Sequence, residues 1–215
     1  MWCRIPRFLK ILPSLSLLLL VGCAGHPRYS VFSVSPRVPG ERYPLLFGWH
    51  YAAGDGPSYV ALWKREAGRR KIIVLAPTRR GSAVGETMDL ETFRKVLGEG
   101  VRRYPVNRRR IFVVGSSAGA LSAKWALLRY RRLLAGAIFV TSADFRKLSE
   151  ERDLANLPPV LFVHGEKDWL FPEIVKEVRK LRKRGVTATL IRYPNACHEH
   201  RPEWSRDIFD WMETV

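Results

Sequence analysis

The chain has 215 residues, and its 37 lysines and arginines against 20 aspartates and glutamates give a formal charge of +17. Without its N-terminal segment about 190 residues remain, enough to bury one core and too few for a second catalytic domain. The basic residues are scattered from Arg69-Arg70-Lys71 to Arg179–Arg184 with no aromatic-interleaved basic motif, which argues against nucleic acid; the excess is either solubilising charge or an attraction to anionic lipid headgroups or acidic polymers.

Arg4, Arg7 and Lys10 precede an apolar run from Ile11 to Val21 that is short for a membrane span, so residues 1–22 read as an export signal. Leu20-Val21-Gly22-Cys23 resembles a bacterial lipobox, in which Cys23 becomes the lipidated first residue. The alternative is an ordinary signal peptide cut nearby. With Ala24 rather than aspartate after the cysteine, the resemblance implies a lipid-anchored protein of the bacterial cell envelope, on the periplasmic side of the outer membrane in a Gram-negative cell. Residues 23–28 then form a linker, and 29–215 the folded domain. Cys3 lies in the signal and Cys23 carries lipid, which leaves Cys197 with no partner for an internal disulfide.

Tyr29–Ser35 alternates like an edge strand, and Pro36–Gly40 makes a turn. Leu45–Trp49 reads as a buried strand, followed by loop residues Ala52–Pro57, and Ile72–Ala76 as another strand that ends at Pro77. A helix is predicted from near Asp89 to Arg103, with Leu90, Phe93, Leu97 and Val101 on one face, although Gly98 and Gly100 weaken it. Arg110–Val114 is an apolar strand that runs directly into Gly115-Ser116-Ser117-Ala118-Gly119. A helix follows with Leu121, Trp125 and Leu128 on one face and Arg129, Arg131 and Arg132 at its end. Ala135–Val140 and Val160–Val163 are strands. Pro172–Lys183 is a helix stopped by Gly185, Val186–Arg192 the last strand and Pro202–Met212 the last helix, with Trp204, Ile208 and Trp211 inward. Strands alternating with helices predict an α/β fold, a mostly parallel sheet covered by helices on both faces.

The G-x-S-x-G at the strand-to-helix turn marks Ser117 as a candidate nucleophile, because a sharp turn holds the hydroxyl where a base can reach it. Small neighbours permit the turn, and the amide of Ala118 at the helix start can face a developing oxyanion. Ligands of open parallel sheets gather at the carboxyl ends of strands. There, Val160–Val163 leads into His164-Gly165-Glu166-Lys167-Asp168, and the last strand into Tyr193-Pro194-Asn195-Ala196-Cys197-His198. The chain order of serine, acid and histidine is that of α/β hydrolases.

On these residues the chain from Tyr29 onward resembles the α/β-hydrolase superfamily, in its compact esterase branch of phospholipase/carboxylesterase, dienelactone-hydrolase-like and polyhydroxybutyrate-depolymerase-like proteins. An aspartate is usual there at the place of Asn107. The resemblance implies a fold with little or no lid and a serine esterase in which Ser117 attacks, His198 transfers the proton and Asp168 orients the histidine. It implies neither metal nor organic cofactor, and as substrate a small-molecule or polymer-borne ester. Asp144 is the rival acid, His164 is expected to shape its own loop, His200 to sit on the surface, and Cys197 to be a neighbour only. The second oxyanion donor is expected at Ala52, although Tyr51 replaces the usual glycine. Trp49 and Tyr51 are expected to border the cleft. Arg79 or Arg80 either pairs with an anionic substrate or belongs to a solvated loop. The alternatives are an inactive envelope lipoprotein that uses the fold as a scaffold, and an acyltransferase or peptidase on the same triad.

Overall fold

The computed structural model describes residues 28–33, 39–78, 85–142 and 147–215. Residues 1–22, expected to be an export signal, most of the expected linker with Cys23, most of the turn expected at 36–40, Arg79, Arg80 and Asp144 lie outside them.

Among the described residues seven strands form one sheet in the order β1-β3-β2-β4-β5-β6-β7. They are β1 (Tyr29–Phe32), β2 (Tyr43–Trp49), β3 (Ile73–Pro77), β4 (Val106–Ser116), β5 (Gly136–Val140), β6 (Val160–Gly165) and β7 (Ala188–Tyr193). Only the edge strand β1 is antiparallel, to β3; every other pairing is parallel. In register, Trp49 lies opposite Gly115, Ser116 opposite Val140, Val140 opposite Val163 and Gly165 opposite Tyr193. The carboxyl ends of β2 and β4–β7 therefore finish along one rim, with β4 in the middle of the sheet.

Alternation along the strands divides the core into two layers. Leu45, Phe47, Ile111 and Val113 point to one side with Phe93, Leu97, Leu127, Val178 and Leu181. Leu46, Phe112, Val114 and Leu161 point to the other with Tyr59, Trp63, Ile208 and Phe209. The first layer is covered by α2 (Glu86–Arg103), α3 (Gly119–Tyr130) and α4 (Phe171–Lys183), the second by α1 (Gly56–Arg70) and α5 (Trp204–Thr214). Val106 and Tyr193 extend β4 and β7 beyond their expected ends, and α4 closes at Gly185, whose φ of 80° suits glycine.

Two helical expectations need correction. The stretch after Pro57 has no element in the sequence reading, yet it forms the 15-residue α1. Asp55 caps it by accepting a 2.8 Å hydrogen bond from the Ser58 amide, Pro57 sits in the first turn, and Tyr59, Val60, Trp63 and Ala67 make the buried stripe. Gly-Pro followed by Lys64, Arg65 and Glu66 conceals that stripe. In α3 the face toward the sheet is Ala120, Ala123, Ala126 and Leu127, while Leu121, Trp125 and Leu128 are half-buried at its margin. Small side chains let the helix that follows the turn lie close on β4.

Candidate active site

β4 ends at Ser116 and α3 begins at Gly119, so the chain reverses through Ser117 and Ala118. Ser117 adopts φ 51°, the left-handed region, which for a residue with a β-carbon costs on the order of 1–3 kcal/mol. Two hydrogen bonds hold it there: the Ser117 amide donates to the Val140 carbonyl at 2.9 Å, and the Ala120 amide to the Ser117 carbonyl at 3.0 Å. Glycine at 119 is a requirement of space, because a β-carbon there would lie 2.3 Å from the Trp49 carbonyl oxygen and 2.7 Å from that of His50. The turn is thereby pressed against the end of β2.

The loops after β6 and β7 are joined through their backbones. The Glu166 amide donates to the Tyr193 carbonyl and the Lys167 amide to the Ala196 carbonyl, each at 3.0 Å. Gly165 makes this approach possible, since a β-carbon would stand 2.3 Å from the Ala196 oxygen. Asp168 then closes a turn, its own amide on Gly165 O at 3.2 Å and its Oδ1 accepting from the Leu170 amide at 3.0 Å.

These three loops bring together side chains distant in sequence. Ser117 Oγ lies 2.9 Å from His198 Nε2, and His198 Nδ1 2.7 Å from Asp168 Oδ2. Asp168 is buried, with a second imidazole against the same oxygen: His164 Nε2 is 2.8 Å away. Burial pushes the Asp168 carboxyl up, but contacts from His164, His198 and the Leu170 amide more than offset it and hold the group well below the usual carboxylate range. An ionised Asp168 accepts the Nδ1 proton of His198, which leaves Nε2 as acceptor for the Ser117 hydroxyl. His164 thus contacts the Asp168 carboxylate from within the same loop, and its i,i+4 spacing from Asp168 is the only sequence signal for that contact.

Ala118 heads α3, and Ala52 lies in the exposed loop that follows β2. Tyr51 is exposed and its φ is not in the left-handed region; its carbonyl accepts from the Gly54 amide at 3.0 Å and from His50 Nδ1 at 2.7 Å. The loop therefore turns without a glycine conformation at 51. Trp49 corrects an expectation: it is fully buried, with its ring 4.8 Å from that of Phe47 and 5.7 Å from that of Phe93. It follows Leu45 and Phe47 on one face of β2, so it belongs to the core and not to the cleft. Cys197 is half-buried beside His198. Among the described residues no group of three or more histidines, cysteines or carboxylates is arranged to hold a metal ion.

No curated protein matches the chain by sequence. A family profile described as the alpha/beta hydrolase fold matches residues 122–201, a span that holds Asp168 and His198. Solved structures match over nearly the whole chain. FphF, a fluorophosphonate-binding serine hydrolase of Staphylococcus aureus, is 14% identical with a TM-score of 0.71, covering 93% of this chain and 96% of its own. The chain has the α/β hydrolase fold. S-formylglutathione hydrolase (FrmB) of Staphylococcus aureus is similar at 15% identity and TM-score 0.69, over 87% of this chain and 92% of its own. Esterase LipW of Mycobacterium marinum is 20% identical at TM-score 0.70, over 87% and 76%.

Behind the turn, this α/β hydrolase fold carries a second cluster that the sequence reading did not anticipate. Ser116 Oγ lies 2.9 Å from both the Tyr59 hydroxyl and His200 Nδ1, and the His200 ring packs 4.8 Å from Trp63 and 5.9 Å from Tyr59. His200 is therefore not a surface residue beside α5: the residue is half-buried, but its Nε2 is sealed from solvent. Burial pushes its imidazole down from 6.5 to about 3. As pH falls below 6.5 the unfolded chain binds a proton at this position while the folded chain does not. Stability present in full above 6.5 is thus lost progressively toward 3, by up to about 1.4 kcal/mol per pH unit. Urea unfolding should show wild-type protein losing about 2 kcal/mol more than His200→Gln between pH 7 and pH 5. Parallel losses in both proteins would contradict a buried neutral imidazole.

Proposed function

We propose that this protein is a serine hydrolase of carboxylic esters, with Ser117 as nucleophile, His198 as general base and acid, and Asp168 as its orienting carboxylate. The observation that carries the reading is the continuous contact from Ser117 Oγ through His198 to a buried, ionised Asp168, at 2.9 and 2.7 Å, on a serine in a left-handed turn. Ser117 Oγ attacks the ester carbonyl carbon and its proton passes to His198 Nε2. The amides of Ala118 and Ala52 stabilise the oxyanion. Collapse of the tetrahedral intermediate expels the alkoxide, which takes the proton back from Nε2 and leaves as the alcohol. Water, activated by the same imidazole, then releases the acid from Ser117.

Ser117 and His198 are only part-buried at the rim, which suits small soluble esters or ester groups borne on a polymer. The lipobox-like Leu20–Cys23 supports anchoring of the domain in the bacterial cell envelope through lipid on Cys23.

A fluorophosphonate probe tests the nucleophile. The wild-type protein should carry the adduct on the peptide that contains Ser117, and prior treatment with phenylmethylsulfonyl fluoride should suppress it. Absence of label, or label that persists in Ser117→Ala, would end this reading.

A further inference from the structure

Trp169 follows Asp168 directly and is the most exposed large apolar side chain among the described residues, 72% accessible. Its exposure does not come from a loose backbone. The turn around it is closed by the Asp168 amide on Gly165 O, the Phe171 amide on Asp168 O at 3.0 Å, and the Leu170 amide on Asp168 Oδ1. Its indole stacks on His198, with ring centroids 4.9 Å apart and planes 24° from parallel. One face thus rests on the imidazole, and much of the ring is left to solvent. Keeping an indole in water forgoes a large hydrophobic gain, and the closed turn sets where the side chain starts while the stack on His198 sets where the ring lies.

That place has a meaning on the ester-hydrolase reading, on which the following inference rests. His198 Nε2 hands its proton to the departing oxygen, so the alcohol portion leaves on the imidazole side of the tetrahedral centre. A departing oxygen within hydrogen-bond reach is about 3 Å from Nε2. The indole stacked on that imidazole is the apolar surface beside the departing oxygen, and aromatic rings attract at centroid separations of roughly 4.5–7 Å. We propose that Trp169 forms a leaving-group subsite that selects esters of aromatic alcohols, benzylic or phenolic, by stacking on their rings. The selection concerns the alcohol and not the acyl group, because acyl transfer to Ser117 occurs on the far side of the scissile bond. It acts on acylation and is absent from deacylation, when the alcohol has gone.

The test compares benzyl acetate with cyclohexylmethyl acetate, which share an acyl group and differ little in size or leaving-group basicity. Wild-type protein should favour the benzyl ester in kcat/KM by about three- to tenfold. Trp169→Phe should keep the preference and Trp169→Leu should reduce the ratio to near one. An indole that merely positioned His198 would, on removal, slow both esters by the same factor and leave the ratio unchanged. A wild-type ratio near one, or a ratio unaltered in Trp169→Leu, overturns the subsite while hydrolysis and labelling at Ser117 still stand. Failure to hydrolyse either ester together with absence of label on Ser117 overturns the ester-hydrolase reading, and the subsite with it.

Discussion

Asp168→Asn should lower kcat/KM for ester hydrolysis by on the order of 10⁴, with the protein still folded. The change removes one charge and keeps the shape, so the expected loss lies in the proton arrangement. Oδ1 accepts from the Leu170 amide, which keeps the asparagine oxygen on that side and turns its amino group toward the position of Oδ2. That position faces His198 Nδ1 at 2.7 Å and His164 Nε2 at 2.8 Å. An amino group there donates instead of accepting, so His198 must carry its proton on Nε2. Nε2 is then unable to accept from Ser117. The variant also lacks the negative charge that stabilises the imidazolium formed during attack. Ser117→Ala sets the floor in the same assay, and the double variant should fall little below it, since members of one relay are not additive. Thermal unfolding run alongside separates this loss from loss of fold. A decrease of less than about tenfold would make Asp168 a structural carboxylate.

The parts of the site legible in the sequence are those where short-range chemistry decides the outcome. The turn at Ser117 is written locally, as an apolar strand, two glycines and a run of small helix residues. The loops of Asp168 and His198 are placed by the rule that parallel strands end together, and the register of Gly165 with Tyr193 joins them. Other features depend on direction or on long-range contact. Trp49 lies next to the exposed loop in sequence, but alternation along β2 sets its ring in the core layer with Leu45 and Phe47, so nearness to the loop does not place it at the cleft. Helix α1 was hidden because its stripe of Tyr59, Val60, Trp63 and Ala67 is interrupted by charged residues. The contact of His200 with Ser116 spans 84 positions and crosses from the end of β7 to the end of β4; no local pattern announces it. His164 lies at the end of β6 and Asp168 in the turn just beyond it, so their contact follows from the end of that strand, while the sequence reading of His164 extends only to the shape of its own loop.

Gly119→Ala should damage stability and turnover together. The residue needs no left-handed backbone, so in an ordinary helix alanine would be the better choice. The obstacle is space, since the β-carbon would meet the backbone oxygens of Trp49 and His50 at 2.3 and 2.7 Å. Neither atom belongs to a side chain that can rotate away. Trp49 ends β2, which is paired on both sides by β3 and β4, so the turn must yield rather than the strand. Overpacking of this kind costs about 1–3 kcal/mol, which in a domain of this size lowers the melting temperature by roughly 2–12 °C. A displacement of Ser117 by about 1 Å costs on the order of 10² in rate. Gly98→Ala is the matched control. It too lies inside a helix, but its β-carbon would approach nothing nearer than Arg102 at 3.6 Å, so it should raise stability by about 0.5–1 kcal/mol and leave turnover unchanged. If Gly119→Ala behaved like Gly98→Ala, the close contact between β2 and the turn would not be what holds Ser117 in place.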